Sequence, residues 1–243
     1  MHDSKATSPR KTGGRKTSNI GPELGRDDVL KASLALIDSK GMDAFSVRSV
    51  AAQLGVFPNA VLWHGTSREA ILAGVTALTL QDLIRFEPSG DWEFDIRRFA
   101  GTVRADIHCH PNIAPLIGSQ LSSGGDANFP IVEMLLGVLS RAGLSGRKLV
   151  LAYNIFVSTV IGFVTVELAS LPKAKDQWAN GMREAITSAD PERFPLIAAN
   201  RAELENEAFA LRWKAGSDHP LDAAFDAAVD AMVLGILAIR HSD

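Results

Sequence analysis

Apolar residues recur along this chain at the three-to-four-residue spacing of amphipathic helices, and no alternating strand pattern of useful length interrupts them. Val29, Leu30, Ala32, Leu34, Leu36 and Ile37 predict a first helix over 26–40. Asp27 and Asp28 suit its positive start, and Gly41 stops it after Lys40. Phe45 closes a short loop and Ser46 is placed to cap the next helix. The stretch 46–68, SVRSVAAQLGVFPNAVLWHGTSR, then reads as two short helices cornered at Gly55. Val50, Ala51, Leu54, Val56 and Val61 can pack inward from both, Gly55 can take a positive φ, and Pro58 suits a first helical turn. This is the layout of a helix-turn-helix, and equally of an ordinary αα-corner in a bundle.

Further on, Thr66 and Glu69 fit a capping box for a longer helix through Ala70, Ile71, Val75, Leu78, Leu83 and Phe86, ending by Pro88. Helices are then expected over Trp92–Ile107, Ile113–Leu121, Phe129–Ala142, Gly146–Ser170 and Leu221–Ile239. Residues 172–220 carry Pro172, Pro191, Pro195 and Pro220, and predict only short helices around Trp178–Thr187 and Leu196–Trp213. Residues 1–24, rich in Ser, Thr, Gly, Pro and basic groups, predict a flexible arm. Such an arm is either a solubilising tail or a reach toward phosphates and the minor groove.

Net charge, −3, decides little, but its distribution does. Residues 1–20 hold five basic groups (Lys5, Arg10, Lys11, Arg15, Lys16) against Asp3 alone, whereas from residue 71 onward acids outnumber bases by 21 to 15. A basic front and an acidic rear fit a molecule that presents one end to phosphate. A single cysteine, Cys109, excludes an internal disulfide and a cysteine-based zinc site, which fits a reducing cytoplasm. The basic N-terminus leads into Thr, Gly, Ser and Pro, so no secretory signal is expected.

From Leu149 to Val166 there is no charge, enough length for a membrane span. Asn154, Ser158, Thr159 and Thr165 interrupt that run and Glu167 follows it; a helix buried in a bundle or dimer accounts for it equally well. His108 and His110 stand two apart and point to different helix faces, with only Asp106 as an acidic partner, so no metal site is expected. Neither catalytic residues nor a cofactor are expected, because no nucleophile arrangement or glycine-rich phosphate loop stands out.

Over 26–72 the residues resemble the TetR family of bacterial transcriptional regulators. The likeness lies in a first helix ending SKGMDAFSVRSVAAQLGV, followed by FPNAVLWHGTSREAIL. This is similar to the family's Thr/Ser-x-Arg-x-[ILV]-Ala-x-x-Leu-Gly-Val run and its recognition helix. A weaker likeness, in RADIHCHPNIAPLI and the Ala-Gly-Leu-Ser turn at 142–145, is to a tetracycline-repressor-type ligand and dimer domain. The resemblance implies an all-α protein. A flexible arm (1–24) would precede an N-terminal three-helix DNA-binding domain with the helix-turn-helix (25–72) and a larger helical ligand-binding and dimerisation domain (73–243). It implies a homodimer through the 146–170 and 221–239 helices, with no membrane span, a palindromic double-stranded DNA operator and a small apolar effector.

Carried over by position, Ser46, Val47 and Arg48 open the supporting helix. Phe57, Pro58, Asn59 and Ala60 open the recognition helix and face base edges, where Asn59 can pair with adenine and Phe57 and Ala60 can meet thymine methyls. Trp63 and His64 match positions that meet the DNA backbone, and Thr66 and Arg68 lie where phosphate is gripped. Leu62 stands where the family often has a tyrosine, and Gly65-Thr66 replace a common aromatic–lysine pair. Each departure removes a backbone contact that the basic arm can offset. Trp92, Phe99, Phe129, Met134, Tyr153, Asn154 and Phe156, with Phe163, are candidates for the effector pocket. The expected function is a ligand-responsive repressor; the rival is a helical small-molecule-binding protein or enzyme with a degenerate DNA-binding domain.

Overall fold

A computed structural model describes residues 24–123, 125–169, 175–207 and 221–241. All but the last residue of the arm expected over 1–24 and the end of the expected 196–213 helix lie outside these residues. Among the described residues the chain is helical with no strand. Helices α1 (Arg26–Lys40), α2 (Val47–Leu54), α3 (Pro58–Gly65) and α4 (Arg68–Thr79) pack together at one end. They are followed by α5 (Trp92–Cys109), α6 (Ala114–Ser123), α7 (Phe129–Ser140), α8 (Gly146–Glu167), α9 (Lys175–Thr187), α10 (Pro195–Ala199), α11 (Arg201–Glu207) and α12 (Asp222–His241).

Helix α1 begins with the Asp28 carboxylate accepting from the Gly25 N–H at 2.8 Å and stops at Gly41, which takes φ 80°. Its buried face, Val29, Leu30, Leu36 and Ile37, packs on α4. The approach is close because position 74 is glycine; a Cβ there would stand 2.7 Å from Leu30 Cδ2. One continuous core then runs from Val29 through Phe99 and Phe156 to Ile236. Phe99 sits between Phe86 and Phe156, edge to face, at ring-centre distances of 5.3 and 5.6 Å. Helices α8 and α12 pack along each other, with Phe163 against Phe225 at 5.2 Å.

Two elements differ from expectation. The helix after the recognition unit stops at Thr79 instead of continuing to Phe86, and a 3₁₀ turn spans Gln81–Arg85. Leu80, Leu83 and Phe86 are all buried. A three-residue-per-turn helix brings residues at this three-residue spacing directly above one another. The segment expected as one helix from Leu196 is divided at Asn200, whose side-chain amide bends back to donate to the Leu196 carbonyl at 2.8 Å.

The start of α5 is pinned by acids. Asp91 caps it, accepting from the Glu93 and Phe94 N–H groups. Asp95 is fully buried and accepts from the Ser89 N–H and hydroxyl at 2.8 and 2.9 Å and from the Gly90 N–H at 3.3 Å. Burial alone would raise the Asp95 carboxyl, but these bonds and the nearby Arg98 outweigh it and hold it below the usual range.

Candidate nucleic-acid interface

Local chemistry builds the corner between α2 and α3. Ser46 is extended at φ −150° and its hydroxyl accepts from the Ser49 N–H at 3.0 Å, capping α2. Val50 and Ala51 are buried, and Val47 and Leu54 pack half-buried against the core. Gly55 takes the left-handed conformation, φ 67° and ψ 29°, and the Val56 N–H reaches back to the Ala51 carbonyl at 3.0 Å. This closes α2 in the manner of a Schellman turn, with Val56 returning to the core. Pro58 then opens α3 without costing it a hydrogen bond.

Helix α3 buries only Val61 and Gly65. On its outer side Phe57 is 85% exposed and Trp63 83%, and Asn59 is also exposed. Two large aromatics left in water on a two-turn helix are unusual for a mere bundle corner and mark a contact surface. Arg48 of α2 and Arg68 of α4 are exposed as well, with the Arg68 guanidinium 5.5 Å from the ring centre of Phe45. The other positions inferred for DNA contact are more enclosed: Ser46, Val47, Pro58, Ala60 and His64 are half-buried, and the Ser46 hydroxyl is engaged in its cap.

The capping box expected at Thr66 is corrected. Ser67 is the cap of α4, its hydroxyl accepting from the Ala70 N–H at 3.0 Å. Thr66, exposed, turns the chain at φ 67° and ψ −58° with the Ser67 N–H bonded to the Gly65 carbonyl at 3.0 Å, a strained γ-turn. Gly65, just before this turn, lies so close to Ile71 that a Cβ on it would stand 2.5 Å from Cγ1. Ser67 then has the extended geometry that a cap requires.

Of the residues considered for an effector pocket, Phe99 and Phe156 are brought together, but as stacked core residues. Trp92, Met134, Tyr153 and Phe163 pack half-buried at the core's edge. Burial raises the Tyr153 hydroxyl above its ordinary value. Phe129 is 65% exposed and Asn154 is exposed, so these do not join the cluster.

An ion cluster in the bundle has no counterpart in the sequence reading. Arg104 of α5 grips Glu167, at the end of α8, with two bonds of 3.0 and 2.6 Å, and reaches Asp222 at 2.6 Å. His108 lies 3.0 Å from Glu167, and the Arg104 guanidinium rests 4.7 Å from the Phe225 ring centre. Burial opposes the charge on Glu167, yet the bonds from His108 and Arg104 hold its carboxyl down at about 2. A cleft of about 370 Å³ opens beside Arg104, His108, Asp222 and Phe225. The signal was the i, i+4 pair Arg104 and His108 on α5, together with the one acid ending an uncharged helix.

Two family profiles cover this architecture in turn. Residues 29–83 match the one described as "Bacterial regulatory proteins, tetR family", and residues 86–238 match "Tetracyclin repressor-like, C-terminal domain". The chain belongs to the TetR family. It is a TetR-family transcriptional regulator, with the helix-turn-helix in the first matched region and the helical bundle in the second. It is similar to an HTH-type transcriptional regulator of Saccharopolyspora erythraea, 28% identical over 190 residues that cover 76% of this chain and 78% of that one. Among solved TetR-type structures it is similar in fold to ActR of Streptomyces coelicolor in complex with actinorhodin. The TM-score is 0.70 at 19% identity, over 90% of this chain and 99% of that chain. It is also similar in fold to BioQ with its double-stranded DNA operator, with a TM-score of 0.55 at 23% identity over 66% and 95% of the two chains.

Proposed function

We propose that this protein is a cytoplasmic, effector-controlled repressor that binds a palindromic operator as a homodimer. Residues 25–72 act as the DNA-binding unit and 73–243 as the effector and dimer domain. The observation that carries the reading is α3 itself, which buries only Val61 and Gly65 and leaves Phe57, Asn59 and Trp63 exposed, while Arg48 and Arg68 are exposed on the helices packed against it. Asn59 offers an amide for adenine, Phe57 and Ala60 meet thymine methyls, and Trp63, His64, Thr66 and Arg68 lie along the DNA backbone. Between α1 and α4 bases and acids balance, so the basic arm supplies the excess positive charge that attracts phosphate.

Helices α8 and α12 form the dimer face. By length and composition α8 could cross a membrane. Its Ala152, Phe156, Val160 and Val164 are buried in the core, while Val150, Leu151 and Val166 on α8 and Leu234 on α12 are exposed. A second copy covering those residues accounts for a hydrophobic helix without a lipid environment. A small apolar effector, of the kind suggested by the actinorhodin complex of ActR, is received near Trp92, Met134 and Tyr153 and favours a state with misplaced recognition helices. A hundredfold loss of operator occupancy needs about 3 kcal/mol of preference for that state.

Selection of duplexes from a random library by the full chain tests this reading. Enrichment of one inverted repeat is expected; recovery of DNA with no sequence preference would rule it out.

A further inference from the structure

We infer that His110 and Asn112 are positioning residues. From the turn between α5 and α6 they hold the C-terminal end of α1, and so set the angle of the helix-turn-helix against the bundle. The inference rests on the proposed two-half-site DNA binding.

A helix ends with carbonyls that have no partner inside it. At the end of α1, the Asn112 side-chain amide donates to the Asp38 carbonyl at 3.0 Å and, at 3.1 Å, to the Ile37 carbonyl, which also accepts from the Gly41 N–H. One residue to the other side of Pro111, His110 Nδ1 meets the Asp38 carboxylate at 2.8 Å. The turn Pro111–Ile113, which carries Asn112 and follows His110 directly, is anchored by Ile113, which is fully buried. It therefore moves with the bundle while its polar side chains grip the DNA-binding unit.

Next to this contact a cleft of about 540 Å³ separates Lys40 and Asp43 on one side from Pro115 and Glu167 on the other. On that side of the junction the His110 and Asn112 bonds supplement the apolar packing of the continuous core. The chain crosses between the two parts through α4 and its 3₁₀ extension. Helix α4 also packs on α6, and the polar grip on the end of α1 adds a second attachment away from it. The grip is also tied to the bundle's ion cluster: His108, two residues before His110, bonds Glu167 at the end of α8. A displacement of the last turn of α5 moves both contacts together.

A dimer that reads two half-sites needs each recognition helix held at a set separation, while a single half-site makes no such demand. Binding by the full chain is therefore measured on two duplexes: the one it selects from a random library, and the same duplex with one half-site scrambled. Asn112→Ala and His110→Ala are expected to weaken binding to the intact site about tenfold and to leave the single half-site unchanged. Asp38→Ala, which removes the same pair from the surface of α1, is expected to behave like His110→Ala should that variant fold poorly. The exchanged pair Asp38→His with His110→Asp is expected to restore most of the loss.

Equal weakening on both duplexes would make the contact merely structural, and no weakening on either would remove it from function. Each overturns the inference while DNA binding stands. A wild-type chain that selects no sequence overturns the DNA-binding reading, and this inference with it.

Discussion

A Cβ on Gly65 would stand 2.5 Å from Cγ1 of Ile71, so the recognition helix ends against α4 only because position 65 carries no side chain. Ile71 is fully buried and its side chain has little room to turn aside. This explains why an aromatic cannot occupy the position here. Gly65→Ala is expected to destabilise the protein by about 1–3 kcal/mol through overpacking. Thermal melts followed by circular dichroism check it against Gly137→Ala, where a Cβ meets nothing within 4 Å and helix propensity predicts a small gain instead.

The neighbouring Thr66 is a branched residue held at φ 67°. Relief of about 1–3 kcal/mol of strain exceeds the roughly 0.5–1 kcal/mol that glycine's freedom in the unfolded chain costs. Thr66→Gly is therefore expected to raise Tm. A lower Tm would show that the Thr66 hydroxyl bond to the Gly65 carbonyl, 2.6 Å long, outweighs the strain.

How far these features are legible in sequence depends on how local their cause is. The Gly41 stop, the Ser46 cap, the Gly55 corner and Pro58 each follow from one residue's chemistry, and each stands where its residue implies. Thr66 and Ser67 offer the same capping hydroxyl one position apart, and the backbone decides between them: Ser67 is extended as a cap must be, whereas Thr66 sits at φ 67°. Leu80, Leu83 and Phe86 continue an apolar helical pattern, so the change to 3₁₀ geometry needs knowledge of what they pack against. Arg104 and Glu167 are 63 residues apart, and no local pattern pairs them. For the effector region, Phe99 and Phe156 have the same sequence signature as Trp92 and Tyr153, and burial alone separates core from edge.

Two carboxyls give stability opposite dependences on pH. Glu167 titrates at about 2 in the folded chain against an ordinary 4.5. Its folded value is depressed, so its contribution is full above about pH 4.5 and is lost as pH falls toward 2, on the order of 3 kcal/mol. Denaturant unfolding between those limits is expected to show that loss in the wild type and a flatter profile in Glu167→Gln.

Asp106 is raised to about 6 from 3.8, first by burial and then by the Asp82 carboxylate, with His110 working the other way. One of its buried oxygens has no hydrogen-bond partner among the described residues. With the folded value raised, stability is full below about pH 4 and falls as pH rises through 6, so Asp106→Asn is expected to add about 1–3 kcal/mol at neutral pH and nothing in acid. An equal gain at both pH values would contradict the assignment.

At the interface, Asn59→Ala is expected to lower discrimination at one base pair of the selected site by about 1–3 kcal/mol. Competition binding against duplexes altered at each position reads this out, and an unchanged preference at all positions would remove Asn59 from base reading. Deleting residues 1–20, with their five basic groups, is expected to flatten the dependence of log affinity on log salt. An unchanged slope would make the arm a tail.

In the proposed binding mode, two copies of this helix-turn-helix read one duplex together. The most direct test compares the affinity of the full chain for its selected inverted repeat with its affinity for the same half-sites moved apart by about 5 bp, half a helical turn. A loss of about a hundredfold or more is predicted, because the second recognition helix then faces the wrong side of the DNA. Equal affinity for both spacings would mean that the two copies do not read the duplex together.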